Sequence, residues 1–188
     1  MNVKRLVTDY FWLLFGAGLI VFLDQLSKGW VRNNLSLGEV YRPELWITPF
    51  ARILHWSNTG SAFGLFPNMS GVFTVLAFLV SAAIIYYYPQ VPGNDRLLRL
   101  AMILQLGGAV GNLVDRLIQG HVTDFLSVGN FPVFNVADAS ISTGVAVLVL
   151  GIFIKERQEK AASNRENNTP NSQITLSDPS SYNTDLDS

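Results

Sequence analysis

Residues Phe11 to Leu23 read FWLLFGAGLIVFL, and the polar run DQLSK, Asp24 to Lys28, comes directly after them. A hydrocarbon core about 30 Å thick takes roughly 20 helical residues to cross, at about 1.5 Å each. The predicted span runs from about Tyr10 to Leu26. Lys4 and Arg5 before it resemble the charged start of a signal peptide. Asp24, Gln25 and Lys28 come after it without a small-residue cleavage site, which predicts a retained helix. Three further apolar runs match it: about Gly71 to Tyr88, about Leu97 to Val114, and about Val136 to Ile154. The second ends in Tyr86, Tyr87 and Tyr88, an aromatic belt stopped by Pro89. The expected fold is an α-helical membrane protein of four transmembrane helices.

Composition agrees. Of 188 residues, 49% are hydrophobic and only 14% charged, far below the roughly 25% of a soluble domain. A net charge of −1 leaves no electrostatic footprint for nucleic acid, so no nucleic-acid partner is expected. The absence of cysteine excludes disulfides, thiolate catalysis and cysteine metal sites. Residues 1–155 form the expected membrane domain, and the polar stretch from Glu156 to Ser188 is expected to be a disordered tail.

Positive loops stay in the cytoplasm. Lys4, Arg5, Arg96, Arg99, Lys155, Arg157, Lys160 and Arg165 fall on one side of the four spans. Lys28, Arg32, Arg42, Arg52 and Arg116 are spread over longer segments on the other. Both termini are therefore expected to be cytoplasmic. The outer segments are about Ser27 to Ser70 and Asp115 to Asn135. The first sets Val40, Tyr41, Leu45, Trp46, Ile47, Ile53, Leu54, Trp56 and Phe63 among Pro and Gly, a pattern of short strands. It predicts a small β-rich extracytoplasmic cap, with Trp46 and Trp56 either anchored at the headgroups or packed within the cap.

The polar residues in or beside the spans are Asp24, Gln25, Lys28, Gln105, Asn112, Asp115, Arg116, Asp124, Asn135 and Asp138. Carboxylates near hydrocarbon are costly unless paired, so each is a functional candidate. With four spans and an inside amino terminus, Asp24, Asp115, Asp124 and Asp138 all fall on the outer rim. In GGAVGNLVDR, Gly107 and Gly111 offer a small-residue face for a neighbouring helix. Asn112, Asp115 and Arg116 share a face there, either as an Asp115 and Arg116 pair ending the helix or as a brace for catalytic groups. In FNVADAS, Asn135 and Asp138 are spaced as helix caps, the better reading of Asp138 taken alone. In HVTDF, Asp124 reads alone as a loop carboxylate. His121 and His55 are too few imidazoles for a persuasive metal site, so no metal or cofactor is expected. Together, Asp124 and Asp138 suggest two carboxylates sharing a proton, able to activate water and donate to a peptide carbonyl. GSAFG around Ser61 lacks G-x-S-x-G spacing and H-E-x-x-H is missing, so other hydrolytic machinery has little support. A proton-coupled carrier and an assembly scaffold are the competing classes, and neither accounts for two carboxylates on one rim.

Five ordered blocks resemble the lipoprotein signal peptidases of bacteria, signal peptidase II. They are DQLSK at Asp24 to Lys28, NTGSAFG at Asn58 to Gly64, GGAVGNLVDR at Gly107 to Arg116, VTDF at Val122 to Phe125, and FNVADAS at Phe134 to Ser140. The resemblance implies a four-helix inner-membrane aspartic endopeptidase. It would remove the signal peptides of diacylglyceryl-modified prolipoproteins, cutting before the lipidated cysteine. It implies Asp124 and Asp138 as the catalytic pair, with Asp24, Lys28, Asn58, Asn112, Asp115, Arg116 and Asn135 supporting them or contacting substrate. Membrane lipids and prolipoproteins are the expected partners, and a monomer the expected working form.

Overall fold

A computed structural model describes residues 3–41, 50–60 and 69–167. Four helices in it are long and apolar enough to cross a membrane. They are α1 (Val3–Asn34), α2 (Ser70–Tyr87, continued by a 3-10 turn at Tyr88–Gln90), α3 (Arg96–Gln119) and α4 (Val136–Asn167). Met1–Gly151 forms one compact unit, and Ile152–Ser188 a second, helical through Asn167 where it is described.

Three of the helices, α1, α3 and α4, overrun their expected ends. At 32 residues α1 is about 48 Å long, half as long again as the hydrocarbon core. Ser27 to Asn34, expected in the outer segment, is helical: no Pro interrupts it, Ser27 and Asn34 bond back to carbonyls of α1, and Lys28 and Arg32 find partners on α3 and β3. The tail expected to be disordered from Glu156 is helical to Asn167. Glu156, Arg157, Gln158, Lys160 and Ala161 are strong helix formers, and Glu156 and Lys160 stand at the favourable i, i+4 spacing. Residues 168–188 lie outside the described residues.

The burial pattern inverts that of a water-soluble protein. Phe11, Phe15, Phe22, Phe78 and Leu79 are exposed, while Asp24, Lys28, Asp115, Asp124 and Asn135 are buried. Leu13, Ala17, Ile84, Tyr88 and Leu106 form an apolar core between α1, α2 and α3. The Gly107 and Gly111 face packs on α1: an added Cβ would come within 2.7 Å of Ile20 at Gly107 and 2.8 Å of the Asp24 carboxylate at Gly111. Gly120 ends α3 with φ +78°, a left-handed conformation that suits glycine.

The expected cap is a three-stranded antiparallel sheet, β1 (Val40–Tyr41), β2 (Ala51–Asn58) and β3 (Val122–Val128), in that order. Its third strand comes from the α3–α4 connection, so Asp124 sits within a strand rather than in a loop. Ile53 pairs with Leu126 and Trp56 with Asp124, so three steps along β2 match two along β3. This bulge turns the end of β2 and aligns Asn58 beside Val122. Beneath the sheet, Val31 and Leu35 of the α1 end pack with Phe125. Trp56 is 52% exposed, which does not fit packing within the cap. Leu45, Trp46, Ile47 and Phe63 lie outside the described residues.

Candidate active site

A cavity of about 710 Å³ opens between α2, α3, α4 and β3. Asn58, Asn112, Arg116, Asp124 and Asp138 line one end, and Leu76, Ala77, Val80, Gln105 and Ile141 line the rest. The two candidate carboxylates arrive from different elements, Asp124 from the middle of β3 and Asp138 from the first turn of α4.

Two asparagines join them. Asn135 Nδ2 donates to Asp124 Oδ1 at 2.7 Å and to Asn112 Oδ1 at 3.1 Å, and Asn112 Nδ2 donates to Asp138 Oδ1 at 2.8 Å. Asn58 Nδ2 donates to the other Asp124 oxygen at 2.8 Å. The capping reading of Asn135 and Asp138 also holds. The Asp138 backbone N–H donates to Asn135 Oδ1 at 2.9 Å, and the Asn135 N–H donates back to Asp138 Oδ2 at 3.3 Å. One carboxylate thus fastens the start of α4 with one oxygen and faces the site network with the other.

The two acids differ in environment. Asp124 is 1% exposed, whereas Asp138 is half-buried on the cavity wall. Burial pushes the Asp124 carboxyl up, and the nearby charge of Asp138 adds to it. Hydrogen bonds from Asn58 and Asn135 and the charge of Lys28 pull the other way, leaving it at about 7.

A second network stands behind the first. Lys28 is wholly buried and reaches Asp24 at 2.7 Å, Asp115 at 3.2 Å and Asn112 Oδ1 at 2.9 Å. Asn112 therefore links the ammonium to Asp138. Asp24 Oδ1 accepts the Ala137 N–H at 2.9 Å, pinning the positive end of α4 against α1. Asp115 Oδ2 accepts the Thr123 N–H at 3.0 Å, fixing the backbone next to Asp124.

The face expected to carry Asn112, Asp115 and Arg116 together divides. Asp115 turns to Lys28 and Arg32 of α1, while Arg116 lines the cavity and lies 5.6 Å from the Phe73 ring. The Asp115 and Arg116 pairing fails because adjacent helical residues point about 100° apart, whereas Asn112, three and four residues earlier, shares Lys28 with Asp115 and the cavity with Arg116. Asp115 and Arg116 do not form an ion pair. His121 Nδ1 lies 3.0 Å from the Gln119 carbonyl and His55 Nδ1 2.8 Å from that of Leu35. Among the described residues, no three His, Asp or Glu side chains gather as a metal site.

Two members of the rear network carried no assignment in the sequence. Gln25 Nε2 bridges Asp24, Asp115 and the Gly111 carbonyl. Arg32 Nη1 reaches Asp115 at 3.4 Å and Thr123 Oγ1 at 3.2 Å. Their signal was the spacing of Gln25, Lys28 and Arg32, which continues a helical face past the end expected for α1. Asp9 also went unmarked. It is buried far from the rim, paired with Arg99 and, at 3.6 Å, with Arg5, so not every buried carboxylate lies at the site end.

Residues 17–154 match a protein family described as Signal peptidase (SPase) II. The lipoprotein signal peptidase of Shouchella clausii is 38% identical over 148 residues, covering 78% of this chain and 96% of its own. That of Moorella thermoacetica is 42% identical over 132 residues, covering 70% and 86%. A solved bacterial membrane enzyme superposes with a TM-score of 0.70 at 25% identity, over 77% of this chain and 88% of its own.

Proposed function

Because this chain belongs to the signal peptidase II family, we propose that it is a membrane aspartic endopeptidase that removes signal peptides from diacylglyceryl-modified prolipoproteins, cutting before the lipidated cysteine. The observation that carries the reading is the pair Asp124 and Asp138 at one end of a largely apolar cavity, joined through Asn112 and Asn135. A signal peptide is an apolar helix with its cleavage point near the membrane edge, which suits a cavity with apolar walls and a polar end.

Below about pH 7 Asp124 keeps its proton, because it is buried and faces a second carboxylate. Asp138, on the cavity wall, accepts a proton from a water held between the two as that water's oxygen attacks the scissile carbonyl carbon. The Asp124 O–H donates to the carbonyl oxygen as it gains negative charge. The proton on Asp138 then passes to the amide nitrogen, the C–N bond breaks, and the new amino terminus belongs to the lipidated cysteine. Lys28, through Asn112, and the Asn135 cap hold Asp138 in place.

The Lys/Arg distribution supports cytoplasmic termini and an active site at the outer face of a bacterial inner membrane. The exposed apolar helix faces suit membrane lipid. The test is cleavage of a diacylglyceryl-modified precursor by the purified protein, with unmodified precursor as control. Wild type releases the signal peptide only from the lipidated substrate. An active Asp124→Asn or Asp138→Asn protein overturns the mechanism.

A further inference from the structure

Gln105 stands in the apolar part of the cavity, with Leu76, Val80 and Ile141 also on the walls. It lies on the same face of α3 as Ala109, Asn112 and Arg116, all of which line the cavity. Its Cγ packs on the backbone of Gly144: a Cβ added there would meet it at 2.9 Å. This fixes the stem of the side chain between α3 and α4. Among the described residues its amide has no hydrogen-bond partner, whereas Asn112, Asn135 and Asn58 are engaged in the site network. Ser142 and Thr143 bring two further hydroxyls to the same cavity from α4, also without a hydrogen bond among the described residues.

An amide left open within a membrane-spanning helix is costly unless something occupies its donors and acceptor. We propose that Gln105 is a specificity-determining residue that hydrogen-bonds a polar side chain in the bound signal helix, favouring precursors with a Ser, Thr or amide residue at one position deep in the apolar segment. The inference rests on the function proposed above. Gln105 is seven residues from Asn112, so about 10 Å from the site end along α3. A bound helix running alongside rises by the same step, which places the residue read by Gln105 about seven positions before the cleaved bond. The hydroxyls of Ser142 and Thr143 widen the polar strip.

The experiment uses the full-length protein in detergent and a set of diacylglyceryl-modified precursors, each with one Leu of the apolar segment replaced by Thr at successive positions before the cleavage point. Wild type should show a peak in kcat/KM near the seventh position, about threefold to thirtyfold over the all-Leu precursor, as expected of a hydrogen bond between helices in a membrane. Gln105→Met, of similar length and shape, should remove the peak, so that its kcat/KM on the seventh-position Thr precursor no longer exceeds its own value on the all-Leu precursor. Gln105→Asn is the second variant and should lower the peak without removing it. A flat profile in wild type, or the same peak in Gln105→Met or undiminished in Gln105→Asn, overturns the assignment and leaves the peptidase reading standing. Failure of wild type to cleave any lipidated precursor overturns both.

Discussion

At one end of the α1–α3 pair, Asp24 and Lys28 stand four residues apart on α1 and meet Asp115 of α3. At the other, Arg5 and Asp9 stand four apart on α1, and Asp9 pairs with Arg99 of α3, whose guanidinium lies 4.6 Å from the Tyr88 ring. The local sequence grammar is nearly the same, an acid and a base one turn apart with a partner across the helix interface. The destinations differ. The site-end cluster passes its order outward, through Asn112 to Asp138, through Ala137 to the start of α4 and through Thr123 to the strand that carries Asp124. Among the described residues the Asp9 cluster meets α1, α3 and the turn after α2, with Arg5 reaching the Val91 carbonyl. A buried ion pair is thus not itself a sign of chemistry. The site end is marked instead by a chain of polar contacts finishing on carboxylates that face open space.

The largest test of that contrast is at the carboxylates themselves. Asp124→Asn and Asp138→Asn should each lower cleavage of lipidated precursor by about 10² to 10⁴-fold, with protein levels in the membrane unchanged. Next come the ion pairs. Lys28→Met leaves Asp24 and Asp115 without their shared cation and should cost about 3–5 kcal/mol in detergent unfolding, together with most of the activity. Arg99→Met should also destabilise, since it strips Asp9 of one partner, but kcat per folded molecule should stay within about twofold. Equal losses of kcat in the two variants would erase the distinction between the ends.

A pH series sharpens the difference between the two acids. Asp124 folded holds its proton up to about pH 7, while unfolded it releases it near 3.8. The folded protein therefore carries the extra proton between those values, so this group's contribution to stability falls as pH rises through that window. With protonated Asp124 as the acid, kcat/KM for lipidated precursor should fall about tenfold per pH unit above 7. A limb that rises there instead would assign Asp124 the role of base. The smallest effect is expected at Arg32, whose side chain is 27% exposed. Arg32→Leu should cost about 1 kcal/mol through its bonds to Asp115 and Thr123, read by thermal unfolding.

The four spans were legible because predominantly apolar stretches of 17 to 19 residues are long enough to cross a membrane as helices and have few other stable uses, and the strand pattern of Val40, Tyr41, Ile53 and Leu54 was legible by its breakers. The ends of the helices were not. Ser27 to Asn34 and Glu156 to Asn167 are polar, and polarity alone does not separate a helix that continues into water from a loop. The third strand hid for a related reason: VTDFLSV, Val122 to Val128, is short and carries its acid in the middle, and only pairing with β2 makes it a strand.

The order of residues was enough to establish that this chain belongs in a membrane, to predict four of its carboxylates at one rim, and to show that its motifs resemble one peptidase family. Those properties come from hydrophobicity, parity and residue identity, which need no third dimension. Packing in three dimensions was needed to make Asp138 both a helix cap and a cavity carboxylate, to turn Asp115 away from Arg116, and to bring Gln25 and Arg32 into the support. A side chain's role depends on which surface reaches it first, and that is fixed by the packing of α1, α3, α4 and β3 against one another.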